Sequence, residues 1–332
     1  MLCNHSHFAG PLKRCFIISA LLFITLFLSL VEVSSAKVKP IILPHELHFC
    51  GDLIEITPEM KERLEVRYYG YMRNETQLTL WMKRSRKFFP IIEKKLAEND
   101  MPDDLKYLAI VESALMQRSY SSKGAVGVWQ FVRDTGKRRG LKIQKGRYDE
   151  RRDVYRATDA AIRYFKFLYE KFGNWPLAMA AYNIGENRIA REVKEQESSN
   201  YFEMLFPRET DEYVINVMIV KYIMEHPKRF KIALKEDEYF EPLRFSTVSV
   251  SVDSHKTPFS LVAKASDATM REIKVLNPQI IGNFLYKGVH ELRVPPEGRD
   301  RFDGRYADLI EEYEKNNTYV KVIEPKAAIR TG

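Results

Sequence analysis

From residue 37 to about residue 230, apolar side chains recur three and four positions apart, which commits most of this chain to amphipathic helices. "PEMKERLEVRYYGYM" and "QLTLWMKRSRKFFPIIEKKLAEND" carry the pattern. Thr57 stands as an N-cap before Pro58, a residue suited to a first helical turn. "DVYRATDAAIRYFKFLYEKFG" is the clearest helix, with Asp153 to cap it and Gly173 to end it, and "NWPLAMAAYNIGENRIAREVKE" follows as a helix pair. One glycine-bearing stretch, Ser121 to Gly146, interrupts the series. After Pro227 the pattern changes. "FEPLRFSTVSVSVDS" alternates and reads as strand, "TPFSLVAKASDATMREIKVLNP" as two short helices and "HELRVPP" as a closing strand. The expected class is mainly α: a helical lead-in at 37–84, a helical domain at 85–235, a small α+β module of β-α-α-β order at 240–297, and a short helix ("YADLIEEYEK") with a tail at 298–332.

The N-terminus follows other rules. Lys13 and Arg14 precede "CFIISALLFITLFLSLV", and Ser34 and Ala36 stand at the −3 and −1 places of a small-residue cleavage site. Residues 1–36 are expected to be a secretory signal peptide cleaved before Lys37. The alternative is an uncleaved anchor, since the run from Cys15 to Val33 is about long enough to span a bilayer. Cleavage removes Cys3 and Cys15 and leaves only Cys50, so no internal disulfide staples the mature fold. An exported chain nearly free of cysteine suits the bacterial periplasm or cell envelope, with membrane association if the apolar run is retained. The net charge of +8 is spread along the chain rather than clustered. It suits an anionic polymer or membrane surface and gives no footprint for nucleic acid.

Glu112, in "AIVESA", is the residue that the helical pattern explains least. It follows Leu108 by four and Ala109 by three, on the apolar face. A carboxyl there is pushed toward its protonated form by desolvation, as a general acid requires, or it pairs with a cation such as Arg163. The stretch "SSKGAVGVWQF" has two glycines that let its backbone approach a ligand. Ser121, Ser122 and Gln130 offer neutral hydrogen-bonding groups there, and Trp129 and Phe131 offer apolar faces, one of them expected in the core. "AAYNIGENR" adds Tyr182 and Asn183 at a helix end; a core tyrosine and a helix C-cap are the structural alternatives. Neutral polar groups beside aromatics suit a sugar, which presents hydroxyls on its rim and C–H on its faces. The seven histidines are scattered, with no HExxH and no cysteine cluster, and no GxSxG frames a serine.

"VESA", "SSKGAVGVWQF" and "AYNIGENR", in this order and spacing, resemble the lytic transglycosylase family with the goose-lysozyme-like SLT domain. "YDERRDVYRATDAAIRYFKFLYEKFGNWPLAMAAYN" and "LFPRETDEYV" look like its membrane-bound lytic murein transglycosylase D branch. The resemblance covers about residues 85–230 and implies a lysozyme-like helical catalytic domain. It implies that Glu112 is the catalytic acid, that Ser121, Gln130, Tyr182 and Asn183 contact substrate, and that Tyr213 closes the cleft near the glutamate. Val128 and Ile184 replace the family's usual Leu and Ala, and neither supplies chemistry. The implied partner is the glycan strand of peptidoglycan, cleaved between N-acetylmuramic acid and N-acetylglucosamine with formation of a 1,6-anhydro end. No cofactor or metal is implied. The rivals are a goose-type hydrolase, which needs a positioned water and a second carboxylate such as Asp134 or Asp149, and a non-catalytic wall-binding protein. Residues 246–296 resemble a divergent LysM segment, which implies glycan binding; a structural appendage is the alternative.

Overall fold

The structure, a computed structural model, describes residues 40–323 with the exception of residue 231. The expected signal peptide and the end of the tail lie outside the described residues. No helix among those described is long and apolar enough to cross a membrane.

Where the lead-in was expected to be helical throughout, it begins as an antiparallel hairpin, β1 (Glu46–Phe49) with β2 (Asp52–Glu55). The reason is local. Cys50 (φ 54°) and Gly51 (φ 94°) both take left-handed backbone, which makes a two-residue hairpin turn, and Phe49 is buried behind it. Helix α1 (Pro58–Met72) starts as expected, with the Thr57 hydroxyl accepting the Met60 N–H at 3.2 Å. Helix α2 (Glu75–Ala97) runs straight through the expected boundary at 84/85. Its buried stripe of Leu78, Trp81, Met82, Phe88, Phe89, Ile92 and Leu96 is unbroken, so lead-in and helical domain share one element.

A turn at Asp103–Leu105 leads into α3 (Lys106–Ser113). After it come a short α4 (Arg133–Arg138) and a two-residue ladder, β3 (Ile143–Gln144) with β4 (Tyr148–Asp149), too brief to leave a readable alternation. Helix α5 (Val154–Phe172) is capped by Asp153, whose carboxylate accepts the Tyr155 N–H at 2.9 Å, and is ended by Gly173 (φ 74°). Helices α6 (Trp175–Ile184), α7 (Glu186–Glu195), α8 (Arg208–Asp211) and α9 (Tyr213–Glu225) follow. Helix α9 is buried on nearly every side, through Val214, Ile215, Val217, Met218, Ile219, Val220 and Ile223, and it packs against α1, α3 and α6. A helix apolar all round belongs at the centre of a helical domain, and this one is its axis.

The C-terminal module has the expected β-α-α-β order: β5 (Ser246–Pro258), α10 (Ser260–Ala265), α11 (Met270–Leu276) and β6 (Phe284–Val294). The strands pair antiparallel from Ser246 opposite Val294 to Pro258 opposite Phe284, with an irregularity between Val252 and Lys256. Val248, Val250 and Val252 face inward toward Phe259, Val262, Ile273 and Leu292. Helix α12 (Arg299–Ile323) is longer than the short helix expected, and it completes this core instead of trailing from it. Phe302 is 1% exposed within the cluster, and a Cβ on Gly298 would lie 2.2 Å from the Ser266 carbonyl oxygen.

The module is seated on the helical domain. The Asp149 N–H donates to the Gln279 carbonyl at 2.8 Å, and the Ile281 N–H donates to the Arg147 carbonyl at 3.0 Å. The Arg293 guanidinium donates to both oxygens of Asp153, at 2.8 and 3.1 Å, and covers the Tyr155 ring at 4.3 Å. The carboxylate that caps α5 is therefore also the module's anchor.

Candidate active site

Helix α3 buries Leu108 and Ala109, and the same face carries Glu112 one turn later. The helix then stops abruptly. Ala114 (φ 52°) and Leu115 (φ 59°) take left-handed backbone, and the Leu115 N–H returns to the Ala109 carbonyl at 3.2 Å. Complete burial of the Leu115 side chain holds a conformation that its own sterics disfavour. The chain thus turns away just after Glu112 and leaves its carboxyl at an open helix end.

The stretch 121–131 is fastened behind that end. The Ser113 hydroxyl donates to the Val128 carbonyl at 2.9 Å. Arg151 donates to the carbonyls of Gly124 and Phe131 at 3.0 Å each, and its other nitrogens hold Asp149 at 2.7 and 2.9 Å. Gly127 (φ 84°) lies against the Arg151 backbone, where a Cβ would come within 1.8 Å of the carbonyl oxygen. Both aromatics expected to be shared between core and cleft are buried, Trp129 at 1% and Phe131 at 2% exposure, and the Trp129 indole N–H donates to Thr158 at 2.9 Å.

These elements, with the end of α6 and the starts of α7 and α9, enclose a cleft of about 670 Å³. Glu112, Ser121, Gln130, Tyr182, Asn183 and Tyr213 all line it, as do Ser122 and Phe131. Ser121 Oγ accepts the Ala125 N–H at 3.0 Å, which shapes the loop. Gln130 (φ 47°) donates its amide to the Gly127 carbonyl at 2.7 Å. Tyr182 lays its ring on Phe165, centroids 4.6 Å apart, and donates its hydroxyl to the Trp129 carbonyl at 2.7 Å. It is a wall residue whose own hydroxyl is already bonded. The Asn183 side-chain Oδ1 accepts the Thr210 hydroxyl at 2.9 Å.

Glu112 faces the Tyr213 hydroxyl, which donates to its Oε1 at 2.5 Å. Burial lifts the carboxyl pKa from 4.5 to about 7. The Tyr213 hydrogen bond pulls the other way, and the charge of Glu209 adds to the rise. Arg163 is not its partner; that guanidinium donates to the Arg139 carbonyl at 3.0 Å. No cation is paired to it among the described residues, and the raised pKa keeps a substantial share of Glu112 protonated near neutrality.

The two aspartates considered as second carboxylates stand elsewhere. Asp149 is buried under Arg151, and Asp134 lies on α4 outside the cleft lining. The other carboxylates in the cleft are Glu186 and Glu209, which the sequence reading passed over. Burial raises Glu186, but the Tyr164 hydroxyl donating to it at 2.7 Å leaves it below the usual carboxylate range. Glu209 is exposed at the mouth, 3.7 Å from Lys123. Nothing marked either in the sequence, because acidic residues in a first helical turn are ordinary. Among the described residues no group of His, Cys, Asp and Glu is placed to hold a metal ion.

The family model of the transglycosylase SLT domain matches residues 89–205. Membrane-bound lytic murein transglycosylase D of Escherichia coli is 29% identical over 259 residues, 76% of this chain and 56% of that protein. The chain thus spans a little more than half the length of that relative. Peptidoglycan transglycosylase gp16 of Escherichia phage T7 is 34% identical over 101 residues, 30% of this chain and 8% of the phage protein. Among solved structures, the 70 kDa soluble lytic transglycosylase of Escherichia coli aligns at 18% identity over 54% of this chain and 33% of that one, with a TM-score of 0.38. The matched span holds Glu112, Ser121, Gln130, Tyr182 and Asn183, and Tyr213 follows it on the helix that packs beneath Glu112. Residues 89–205 therefore match the transglycosylase SLT domain, the family that the three motifs resemble.

Proposed function

We propose that this chain is a peptidoglycan lytic transglycosylase with Glu112 as its one acid–base residue. The observation that carries the reading is a carboxyl with a pKa near 7, bonded by Tyr213, in a cleft whose other carboxylates are held ionised or lie at the mouth. Protonated Glu112 gives its proton to the oxygen joining N-acetylmuramic acid to N-acetylglucosamine, and the bond from that oxygen to the muramic anomeric carbon breaks. The Glu112 carboxylate then takes the proton of the muramic 6-hydroxyl, whose oxygen bonds to the same carbon and closes a 1,6-anhydro ring. Glu112 ends protonated, and no water is consumed. A nucleophile within the substrate has a large effective-concentration advantage over water. Ser121, Gln130 and Asn183 supply hydrogen-bonding groups for the sugar rims, Tyr182 an aromatic edge, and Tyr213 holds the acid in place.

The relatives' names and the expected export signal support a location in the periplasm or cell envelope. The LysM-like module at 246–296 is assigned to wall binding on its resemblance. Mass spectrometry of the products from purified sacculi tests the reaction. Fragments one water lighter than hydrolysed ones are expected; free reducing ends make the protein a hydrolase, and intact sacculi make it a binding protein.

A further inference from the structure

A second pocket, of about 420 Å³, lies where the C-terminal module meets the helical domain. It is lined by four cationic side chains: Arg118 and Arg152 from the helical domain, Arg271 and Lys274 from α11. Ile280 and Ile281 add an apolar wall. None of the four makes an ion pair with any described residue, although neighbouring charges do, as Arg293 does with Asp153 and Arg156 with Glu150. The Nε of Arg152 is buried with no hydrogen-bond partner. Lys274 donates to the carbonyls of Ile280 and Ile281 at 3.1 Å each, and also to Gly282, which fixes the loop that forms the wall. Burial and the nearby charge of Arg118 hold its pKa below the usual lysine value. Four like charges converging on an apolar hollow repel one another, and an anion with an aliphatic body relieves that repulsion.

The pocket and the cleft draw on neighbouring stretches of chain. Arg118 is three residues from Ser121, so their Cα atoms are at most about 11 Å apart. Arg152 adjoins Arg151, which braces the back of the 121–131 loop. An extended peptide of three to four residues has about the same reach.

We propose that this junction pocket is a second substrate site, taking the carboxylates of the short peptides that hang from the glycan strand. It rests on reading the cleft as a peptidoglycan site. The module then contributes half of an anion site and selects peptide-bearing over bare strands, a role separate from any grip on sugar.

The test uses the full chain and glycan strands from sacculi, either with their peptides or after an amidase has removed them. Arg118 and Arg271 are exposed, so Arg118→Gln with Arg271→Gln leaves both cores intact; Arg271→Glu alone is the second variant. The expected result is a fall of about tenfold in the ratio of kcat/KM for peptide-bearing over bare strands. In parallel, fluorescence anisotropy follows binding of the labelled free stem tetrapeptide, with inorganic phosphate as competitor. Wild type is expected to bind the peptide more weakly as salt rises, and the double variant about tenfold more weakly than wild type. An unchanged kcat/KM ratio overturns the proposal. So does phosphate binding to the pocket while the peptide is ignored. If wild type cuts neither strand, the reading of the cleft fails, and peptide binding still decides the pocket.

Discussion

The cleft disfavours the charge of Glu112 and raises its pKa to about 7, and that preference has a sign that thermal melts can read. Below pH 4.5 the carboxyl is protonated in both folded and unfolded chains, so it contributes no difference. Above pH 4.5 the unfolded chain ionises freely while the fold retains the proton, so the penalty on the fold grows up to about pH 7, where the folded group itself ionises, and stays at its full size above that. Glu112→Gln is therefore expected to match wild-type stability at pH 4 and to exceed it at pH 8, by up to about 3 kcal/mol. Its turnover is expected to drop by ~10²–10⁴. A folded variant that cuts sacculi at the wild-type rate rules Glu112 out as the acid. Tyr213→Phe tests the partner. The Tyr213 hydroxyl lowers the Glu112 pKa, so its loss is expected to move the alkaline limb of the kcat/KM profile to higher pH while kcat falls. A limb that moves to lower pH contradicts that role. Glu112 was legible in sequence as the wrong residue on an apolar face; the nearness of Tyr213, 101 positions away, came only from the family resemblance, and the hydrogen bond between them only from the structure.

At the scale of elements, the site depends on a loop that only glycine and an arginine strut can hold. Gly127→Ala places a methyl group against the Arg151 carbonyl in a backbone region where φ is 84°. Displacing backbone that is itself bonded to Asp149 is expected to cost more than about 2 kcal/mol and to lower the melting temperature clearly. A melting temperature unchanged from wild type shows that the loop yields without strain. The helices were legible because each carries its own signals: Thr57 and Asp153 cap, Gly173 ends, and the apolar stripes repeat. The β1–β2 hairpin and the β3–β4 ladder were not. Strands of four and two residues are too short for alternation to stand out from helical spacing, and the turn at Cys50 has an unusual residue in left-handed backbone.

At the scale of the whole molecule, the C-terminal module and the helical domain are joined through a buried charge. Asp153 is 0% exposed, and its carboxylate is bonded by the N–H groups at the α5 N-terminus and by Arg293. Arg293→Met keeps apolar contact with Tyr155 but strands the carboxylate, a loss of about 3–5 kcal/mol where a buried pair is broken. The expected readout is one cooperative calorimetric transition in wild type and a lower or split transition in the variant. A variant that melts like wild type shows that the two parts do not depend on this contact. Sequence by itself determined the helical class, the β-α-α-β order of the module and several residues of the cleft, Glu112, Ser121, Gln130, Tyr182 and Asn183 among them, because periodicity, caps and motif spacing are local properties; Tyr213 came from the family resemblance. Tertiary structure decided the rest: that α2 crosses the expected boundary, that Phe302 belongs to the module core, and that four unpaired cations from two parts of the chain meet in one pocket. Those outcomes come from contacts between segments far apart in the chain, whose energy depends on which surfaces meet, and a single sequence carries no local mark of that.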